Sequence, residues 1–103
     1  MSNAIVLTEL ARGEIREARR WYRNLHPVLG LDFARSIRSC LDRIAEFPES
    51  HPLVHRGVRK AIPRRFPYLI LYRSDGETIT VIACMHAHRD PQSWMARLSS
   101  TDQ

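Results

Sequence analysis

The order of apolar and polar residues predicts helices in the first half of the chain and strands in the second. Ala4–Leu7 is a short apolar run that predicts an opening strand, and Thr8 can cap a helix after it. Apolar residues then recur at helical spacing. The predicted buried stripe consists of Leu10, Ala11, Ile15, Ala18, Trp21, Tyr22 and Leu25. Pro27 ends this helix, and Gly30 suits the short connection that follows.

A second amphipathic helix follows the connection and ends before Pro48. Its predicted buried residues are Ala34, Ile37, Leu41, Ile44 and Phe47. The short link makes the two helices an antiparallel hairpin, and such a pair needs a further surface against which to bury its apolar stripes. The segment from Glu49 to Gly57, which carries His51 and His55, is predicted to be a loop.

Three strand-like runs in the second half supply that surface. They are Val58–Ile62, Tyr68–Arg73 and Thr78–Met85. The pair Asp75-Gly76 predicts a two-residue hairpin turn between the last two, because glycine tolerates the positive φ that such turns require. The sequence therefore predicts an α+β fold with the order β-α-α-β-β-β, in which an antiparallel sheet packs on a helical hairpin.

The end of the chain predicts a short C-terminal helix. Asp90 can cap it, Pro91 suits its first position, and Trp94 and Leu98 lie at helical spacing after them. Arg97 is expected either to pair with Asp90 or to lie free. We expect this helix to pin the end of the chain to the sheet edge.

The hairpin turn implies a register that decides which residues share a face. If Ser74 pairs with Glu77, one side of the sheet is almost wholly apolar and should face the helices. Its residues are Tyr68, Ile70, Tyr72, Ile79, Val81 and Ala83. The helix-free side, or the chain just beyond it, should then carry a polar group made of Arg65, Arg73, His86, His88 and Arg89.

This polar group is the one place in the sequence where acid–base chemistry is conceivable. Extending the pairing brings Arg65 opposite His86, and a histidine can exchange protons near neutral pH. Nearby arginines can hold a phosphate, so the group could cleave RNA by attack of the internal 2′-hydroxyl. The candidate catalytic residues of such a nuclease are Arg65, Arg73, His86 and His88. Two alternatives remain open: a binding surface without catalysis, or a purely structural role.

The charge of the chain indicates an anionic partner. Its formal net charge is +5, its sequence pI is near 10.0, and every basic residue except Lys60 is arginine. Arginine makes planar, bidentate contacts to phosphate or carboxylate, which favours nucleic acid or an acidic protein. The candidate binding residues are Arg59, Lys60, Arg64, Arg65, Arg73 and Arg89. The alternative is an arginine-rich surface without a specific role.

The length of the chain and its remaining residue types further limit the classes of protein that fit the sequence. The chain is predicted to be one domain, residues 1–103, with residues 99–103 as a loose tail. It has no glycine-rich phosphate loop, nucleophile elbow or dinucleotide fingerprint, so no cofactor is expected. The histidines lack the cysteine or carboxylate partners of a closed metal site, so no metal is expected. Cys40 and Cys84, without an export signal or a bilayer-length apolar run, predict the cytoplasm and no membrane partner.

Taken in order, these features resemble the RelE/ParE family of type II toxin–antitoxin toxins, and most closely its ParE-like branch. The resemblance extends from near Ile5 to Arg97. The residues that carry it are Trp21-Tyr22, Gly30 and Phe33, Phe47-Pro48, Val58-Arg59, Phe66-Pro67-Tyr68, Leu71-Tyr72, the ending His86-Ala-His88-Arg89-Asp90-Pro91, Trp94 and Arg97.

The resemblance implies a small basic cytoplasmic toxin of the plasmid-stabilisation type, neutralised by a cognate antitoxin with an acidic toxin-binding segment. ParE-like members poison DNA gyrase, and RelE-like members cut mRNA in the ribosomal A site. The residues that match the ribonuclease set by position are Arg65, Arg73, His86 and His88. The chain has no lysine cluster and no tyrosine after the last strand, which favours target binding over RNA cleavage. A degenerate relative that only binds its partner is a third alternative.

Overall fold

The computed structural model describes residues 3–88, 92, 96 and 97. These residues form two long helices and a five-stranded sheet. The elements are β1 (Ala4–Leu7), α1 (Glu9–Leu25), α2 (Pro27–Glu46), β2 (Leu53–His55), β3 (Val58–Ala61), β4 (Tyr68–Asp75) and β5 (Thr78–His86). The predicted α+β class and the packing of a sheet on a helical hairpin are confirmed. Neither helix is long and apolar enough to cross a bilayer.

Near the end of the chain, Gln92, Ala96 and Arg97 have helical backbone, as the predicted C-terminal helix requires. The residues predicted to begin and pin this helix lie outside the described part of the chain. They are Asp90, Pro91, Trp94 and Leu98. The candidate binding residue Arg89 and the predicted tail, residues 99–103, also lie outside it.

A single residue separates the two helices. Thr8 caps the start of α1, as predicted. His26 has the same role for α2, because its Nδ1 accepts the Val28 backbone N–H at 3.2 Å. Pro27 therefore lies in the first turn of α2, where its missing N–H has no helical partner to lose. The predicted connection through Gly30 is wrong, since α2 has already begun there.

Gly30 instead lies where α1 and α2 approach each other. A Cβ at this position would lie 2.8 Å from the Arg23 Cβ and 3.1 Å from the Arg23 Cα. Carbon atoms that are not bonded prefer separations of about 3.5–4.0 Å, so a side chain here would push the helices apart. Gly30 is therefore a packing residue, and its missing side chain permits the close helix–helix contact.

The buried stripes of both helices are narrower than predicted. The residues of α1 that pack into the core are Ala11, Ile15, Ala18 and Tyr22. Those of α2 are Phe33, Ile37, Cys40, Leu41 and Ile44. The predicted stripe residues that are instead more than half exposed are Leu10, Trp21, Leu25 and Phe47. The buried stripe of α1 is thus limited to two alanines, Ile15 and Tyr22, and Trp21 lies at the surface rather than in the core.

The sheet has the order β1-β5-β4-β3-β2 and is mixed rather than purely antiparallel. β1 runs parallel to β5, with Ala4 opposite Thr78, whereas the other neighbouring strands are antiparallel. The predicted loop from Glu49 to Gly57 contains the edge strand β2. Three residues are too few for alternation to reveal a strand in the sequence.

The β4–β5 hairpin differs from the predicted register. Its loop consists of Gly76 and Glu77, and Asp75 pairs with Thr78. The turn therefore lies one residue later than predicted, and the pairing of Ser74 with Glu77 is wrong. Gly76 has a φ of +65°, which fits the first loop position of a type II′ turn, where glycine is preferred.

A bulge at Ile82 then changes which residues of β5 face the helices. Tyr72 pairs with Val81, but the preceding residue, Leu71, pairs with Ala83, so Ile82 is the extra residue. Beyond the bulge, the alternation of β5 is shifted by one position relative to the prediction.

Both faces of the sheet are buried at its centre. The sheet residues of the cluster that faces the helices include Ile70, Tyr72, Ile79, Val81 and Cys84. The opposite face holds a second buried cluster made of Val58, Leu69, Leu71, Ile82, Ala83 and Met85. The prediction of a bare helix-free face is therefore wrong over this apolar centre.

Candidate functional site

His86 lies on the side of the sheet that faces the helices, at the end of β5. It pairs with Tyr68, which packs against the helix-facing cluster, and the centres of the two rings are 5.2 Å apart. The His86 Nδ1 accepts the backbone N–H of His88 at 3.2 Å. His86 also lines a cavity of about 360 Å³ between α1 and β5, together with Glu14 and Trp21. Among the described residues, the neighbours of His86 are thus mainly aromatic side chains and residues of α1.

Arg73 lies on the opposite face. Its neighbour Tyr72 belongs to the helix-facing cluster, and successive side chains of a strand alternate, so Arg73 points away from the helices. Its Nη1 donates to the Arg56 carbonyl oxygen at 2.9 Å. The predicted grouping of Arg73 with His86 is wrong, because the bulge at Ile82 turns His86 to the other face.

Arg65 lies in the link between β3 and β4, beside α2. Its Nη2 is 3.6 Å from the Asp32 Oδ2, and its Cζ is 5.9 Å from the centre of the Phe66 ring. Its φ of +75° lies in the left-handed region, which non-glycine residues rarely adopt. The predicted position of Arg65 opposite His86 is wrong, because Tyr68 takes that place.

Arg59 and Lys60 belong to β3. The Arg59 Nη1 donates to the carbonyl oxygens of His51, at 2.6 Å, and Glu49, at 3.3 Å. Arg59 thereby fastens the segment before β2 to the sheet, so part of its hydrogen-bonding capacity is used within the fold. Lys60 pairs with Leu71 in the register and is partly buried.

A second cavity, of about 290 Å³, lies between α2 and the β3–β4 link, and it was not predicted from the sequence. Its described lining residues are Asp32, Arg35, Ser36, Ser39, Arg64 and Arg65. The Ser36 hydroxyl donates to the Arg64 carbonyl oxygen and so joins the helix to the link. The helix residues share one face because they recur at a spacing of three and four. That spacing could have indicated the cavity from the sequence. Polar residues on an outer helix face usually only contact water, however, so the spacing alone did not predict a site.

Arg97 forms a bidentate pair with Glu14, in which both N–O distances are 3.1 Å. The Arg97 Nη2 also donates to the Ile82 carbonyl oxygen at 2.7 Å, and the Glu14 Oε1 accepts the Cys84 N–H at 3.0 Å. Arg97 therefore does not lie free, as one of the two expectations had it, and the other, a pair with Asp90, concerns a residue outside the described part of the chain. No local pattern in the sequence indicates this pair, which joins α1 to a residue 83 positions away.

A further polar group connects β4 to the segment after α2. The buried Tyr72 donates its hydroxyl to the Pro48 carbonyl oxygen at 2.6 Å, and the hydroxyl oxygen lies 3.1 Å from the His51 Nδ1. Burial lowers the pKa of His51, and the positive charges of Arg43 and Arg59 lower it further. The neutral imidazole is therefore favoured at this position.

The thiols and imidazoles of the described residues form neither a reactive nucleophile nor a metal centre. Cys40 and Cys84 are free and buried. Burial raises the pKa of the Cys40 thiol, and burial together with the charge of Glu14 raises the pKa of Cys84 to about 12. Both thiols are therefore protonated and inert near neutral pH. Within residues 3–88, 92, 96 and 97, no group of three or more His, Cys, Asp or Glu side chains could hold a metal ion.

Two solved structures of toxin–antitoxin systems share this fold. The chromosomal ParDE system from P. aeruginosa aligns with a TM-score of 0.67 at 17% identity, covering 84% of this chain and 98% of that chain. The RelBE2 toxin–antitoxin complex from Mycobacterium tuberculosis aligns with a TM-score of 0.60 at 21% identity, covering 84% of this chain and 99% of that chain. The helical hairpin on a mixed sheet is thus the fold of ParE and RelE toxins.

The sequence assigns the chain to a family within this class. Residues 5–91 match the family described as the ParE toxin of the type II toxin–antitoxin system parDE. The chain therefore belongs to the ParE toxin family. No curated protein sequence matches it.

Proposed function

We propose that the toxin arrests growth by binding an essential target, with DNA gyrase as the candidate, and that it does not cut RNA. The observation that supports this proposal is the position of His86 and Arg73 on opposite faces of the sheet. The predicted nuclease needs a proton-transferring group and a guanidinium at the same phosphate. The sheet separates these two groups, so they do not form one catalytic site.

The proposed regulator is a cognate antitoxin that neutralises the toxin in the cytoplasm. Both structural relatives are toxin–antitoxin systems, and the net charge of +5 favours an acidic toxin-binding segment. Among the described candidate binding residues, Arg64 and Arg65 are exposed. Arg59 and Arg73 instead donate to backbone carbonyl oxygens. Arg64 and Arg65 are therefore the residues proposed to meet a partner directly.

The alternative function is a ribosome-dependent mRNA endoribonuclease of the RelE-like kind. The observation that favours it is the contact between the rings of His86 and His88, whose centres are 5.2 Å apart. His88 is exposed, so it could transfer a proton to a bound RNA without any contribution from Arg73.

Induced expression of the chain without an antitoxin separates these functions. The His86→Ala and His88→Ala variants are expected to arrest growth as the unaltered chain does, with gyrase-linked DNA breaks and no cleavage of mRNA in primer-extension assays. The proposal fails if either variant becomes harmless while its circular dichroism and antitoxin binding are unchanged. Normal growth at good expression of the unaltered chain would instead indicate a degenerate relative that only binds its partner.

A further inference from the structure

Three arginine side chains meet at the cavity between α2 and the β3–β4 link. Arg35 comes from the helix, and Arg64 and Arg65 come from the link. Asp32 supplies the one carboxylate among the described lining residues. Three guanidinium groups and one carboxylate leave a net charge of +2 on the lining, so the cavity favours an anionic ligand.

Arg65 contacts a carboxylate and an aromatic ring at this cavity. Asp32 pairs with its guanidinium on one side, and the Phe66 ring lies near it on another. Its backbone is in the left-handed conformation, and strained residues of this kind are concentrated at binding and catalytic sites. The hydrogen bond from Ser36 to the Arg64 carbonyl oxygen also ties the link to α2. The backbone that carries Arg64 and Arg65 is therefore joined to α2 before a ligand binds.

The donors of the cavity suit phosphate better than carboxylate. The Ser39 hydroxyl oxygen accepts a hydrogen bond from the Arg43 Nη1 at 3.2 Å, which leaves the Ser39 O–H itself to donate. Together with three guanidinium forks, this hydroxyl offers more donors than the two oxygens of one carboxylate use. Phosphate has more acceptor oxygens, and arginine and serine side chains are the usual ligands of nucleic-acid phosphates.

We infer that this cavity binds the backbone phosphates of a nucleic acid. The inference rests on the proposed function and deepens it, because a toxin that poisons a DNA-bound enzyme gains from a contact to the DNA itself. Helix α2 and the β3–β4 link form the contact surface, so the cavity between α1 and β5 that His86 lines is not part of it.

Fluorescence anisotropy of the purified full chain with a labelled DNA duplex of about 20 base pairs tests the inference across a range of salt concentrations. Arg35→Gln and Arg65→Gly are each expected to weaken binding about five-fold and to reduce the salt slope by about one, as expected for one lost phosphate contact. Glycine suits the positive φ of residue 65, so Arg65→Gly should keep the fold. The control is Arg19→Gln, which removes the same charge from an exposed position on α1.

The inference is overturned if Arg19→Gln weakens DNA binding as much as the two cavity variants do. It is also overturned if an octaglutamate peptide displaces the labelled duplex at a lower concentration than unlabelled duplex does, since the cavity would then prefer carboxylates to phosphates. If DNA binding does not depend on Arg35 and Arg65 but the chain still arrests growth, this inference alone fails. If DNA binding does depend on these residues but the chain allows normal growth, the proposed function fails and the inference of a phosphate site holds.

Discussion

Glu14 and Arg97 form an ion pair that also makes hydrogen bonds to two backbone groups of β5. Glu14 accepts the Cys84 N–H, and Arg97 donates to the Ile82 carbonyl oxygen. β1 ends at Leu7, before this part of β5, so the ion pair takes the place of a neighbouring strand. Both side chains are less than one-fifth exposed, so water does not screen the pair strongly.

Glu14→Ala is expected to lower the free energy of unfolding by about 3 kcal/mol, because it leaves a mostly buried guanidinium and a backbone N–H without their acceptor. Urea denaturation measures the change. Glu17→Ala is the control, since Glu17 is an exposed carboxylate one turn further along α1, and it should change stability by no more than about 0.5 kcal/mol. Similar losses for Glu14→Ala and Glu17→Ala would show that the pair with Arg97 does not stabilise the fold.

Two helical glycines are expected to respond oppositely to alanine. Gly30→Ala should destabilise the chain by about 1–3 kcal/mol, because the new Cβ would lie 2.8 Å from the Arg23 Cβ and force the helices apart. Gly13→Ala should stabilise it by about 0.5–1 kcal/mol, because the nearest atom is the flexible Arg16 Nη2 at 3.8 Å and alanine is the better helix former. Thermal unfolding compares the two variants. A gain in stability from Gly30→Ala would contradict the close helix contact.

Sequence features that act over a few neighbouring residues predicted most of the helices and strands. The bounds of β1 and the cap of α1 at Thr8 were correct, because a short apolar run and a capping hydroxyl act within a few residues of chain. The close approach at Gly30 was not predictable, because it depends on which residue of the other helix lies opposite. The same glycine is compatible with a turn, which is the role that the sequence favoured.

The candidate site was harder to predict, because one inserted residue changes a whole face. Alternation assigned His86 to the side of Arg73, and the bulge at Ile82 reversed that assignment. No residue type in β5 marks the bulge, and it lies where β1 ends and the Glu14–Arg97 pair begins. The sequence marked Arg64 and Arg65 as candidate binding residues, but it placed Arg65 opposite His86, and their neighbours on α2 required the tertiary structure.

His51 should make the stability of the fold depend on pH. Burial, followed by the charges of Arg43 and Arg59, lowers the pKa of His51 below its ordinary value of 6.5. The unfolded chain therefore binds a proton at a higher pH than the folded chain does. The contribution of His51 to the free energy of unfolding is fully present above 6.5 and is lost as the pH falls through the lower pKa of the folded state.

Thermal unfolding midpoints at about pH 7.5 and about pH 5 measure this dependence. His51→Gln should show a smaller drop between the two pH values than the unaltered chain, because the group that resists protonation is gone. Its midpoint should be lower at both, since the contact with the Tyr72 hydroxyl is altered. The control is His88→Gln, which makes the same substitution at an exposed position. If His51→Gln and the unaltered chain lose the same number of degrees, another group is responsible for the dependence.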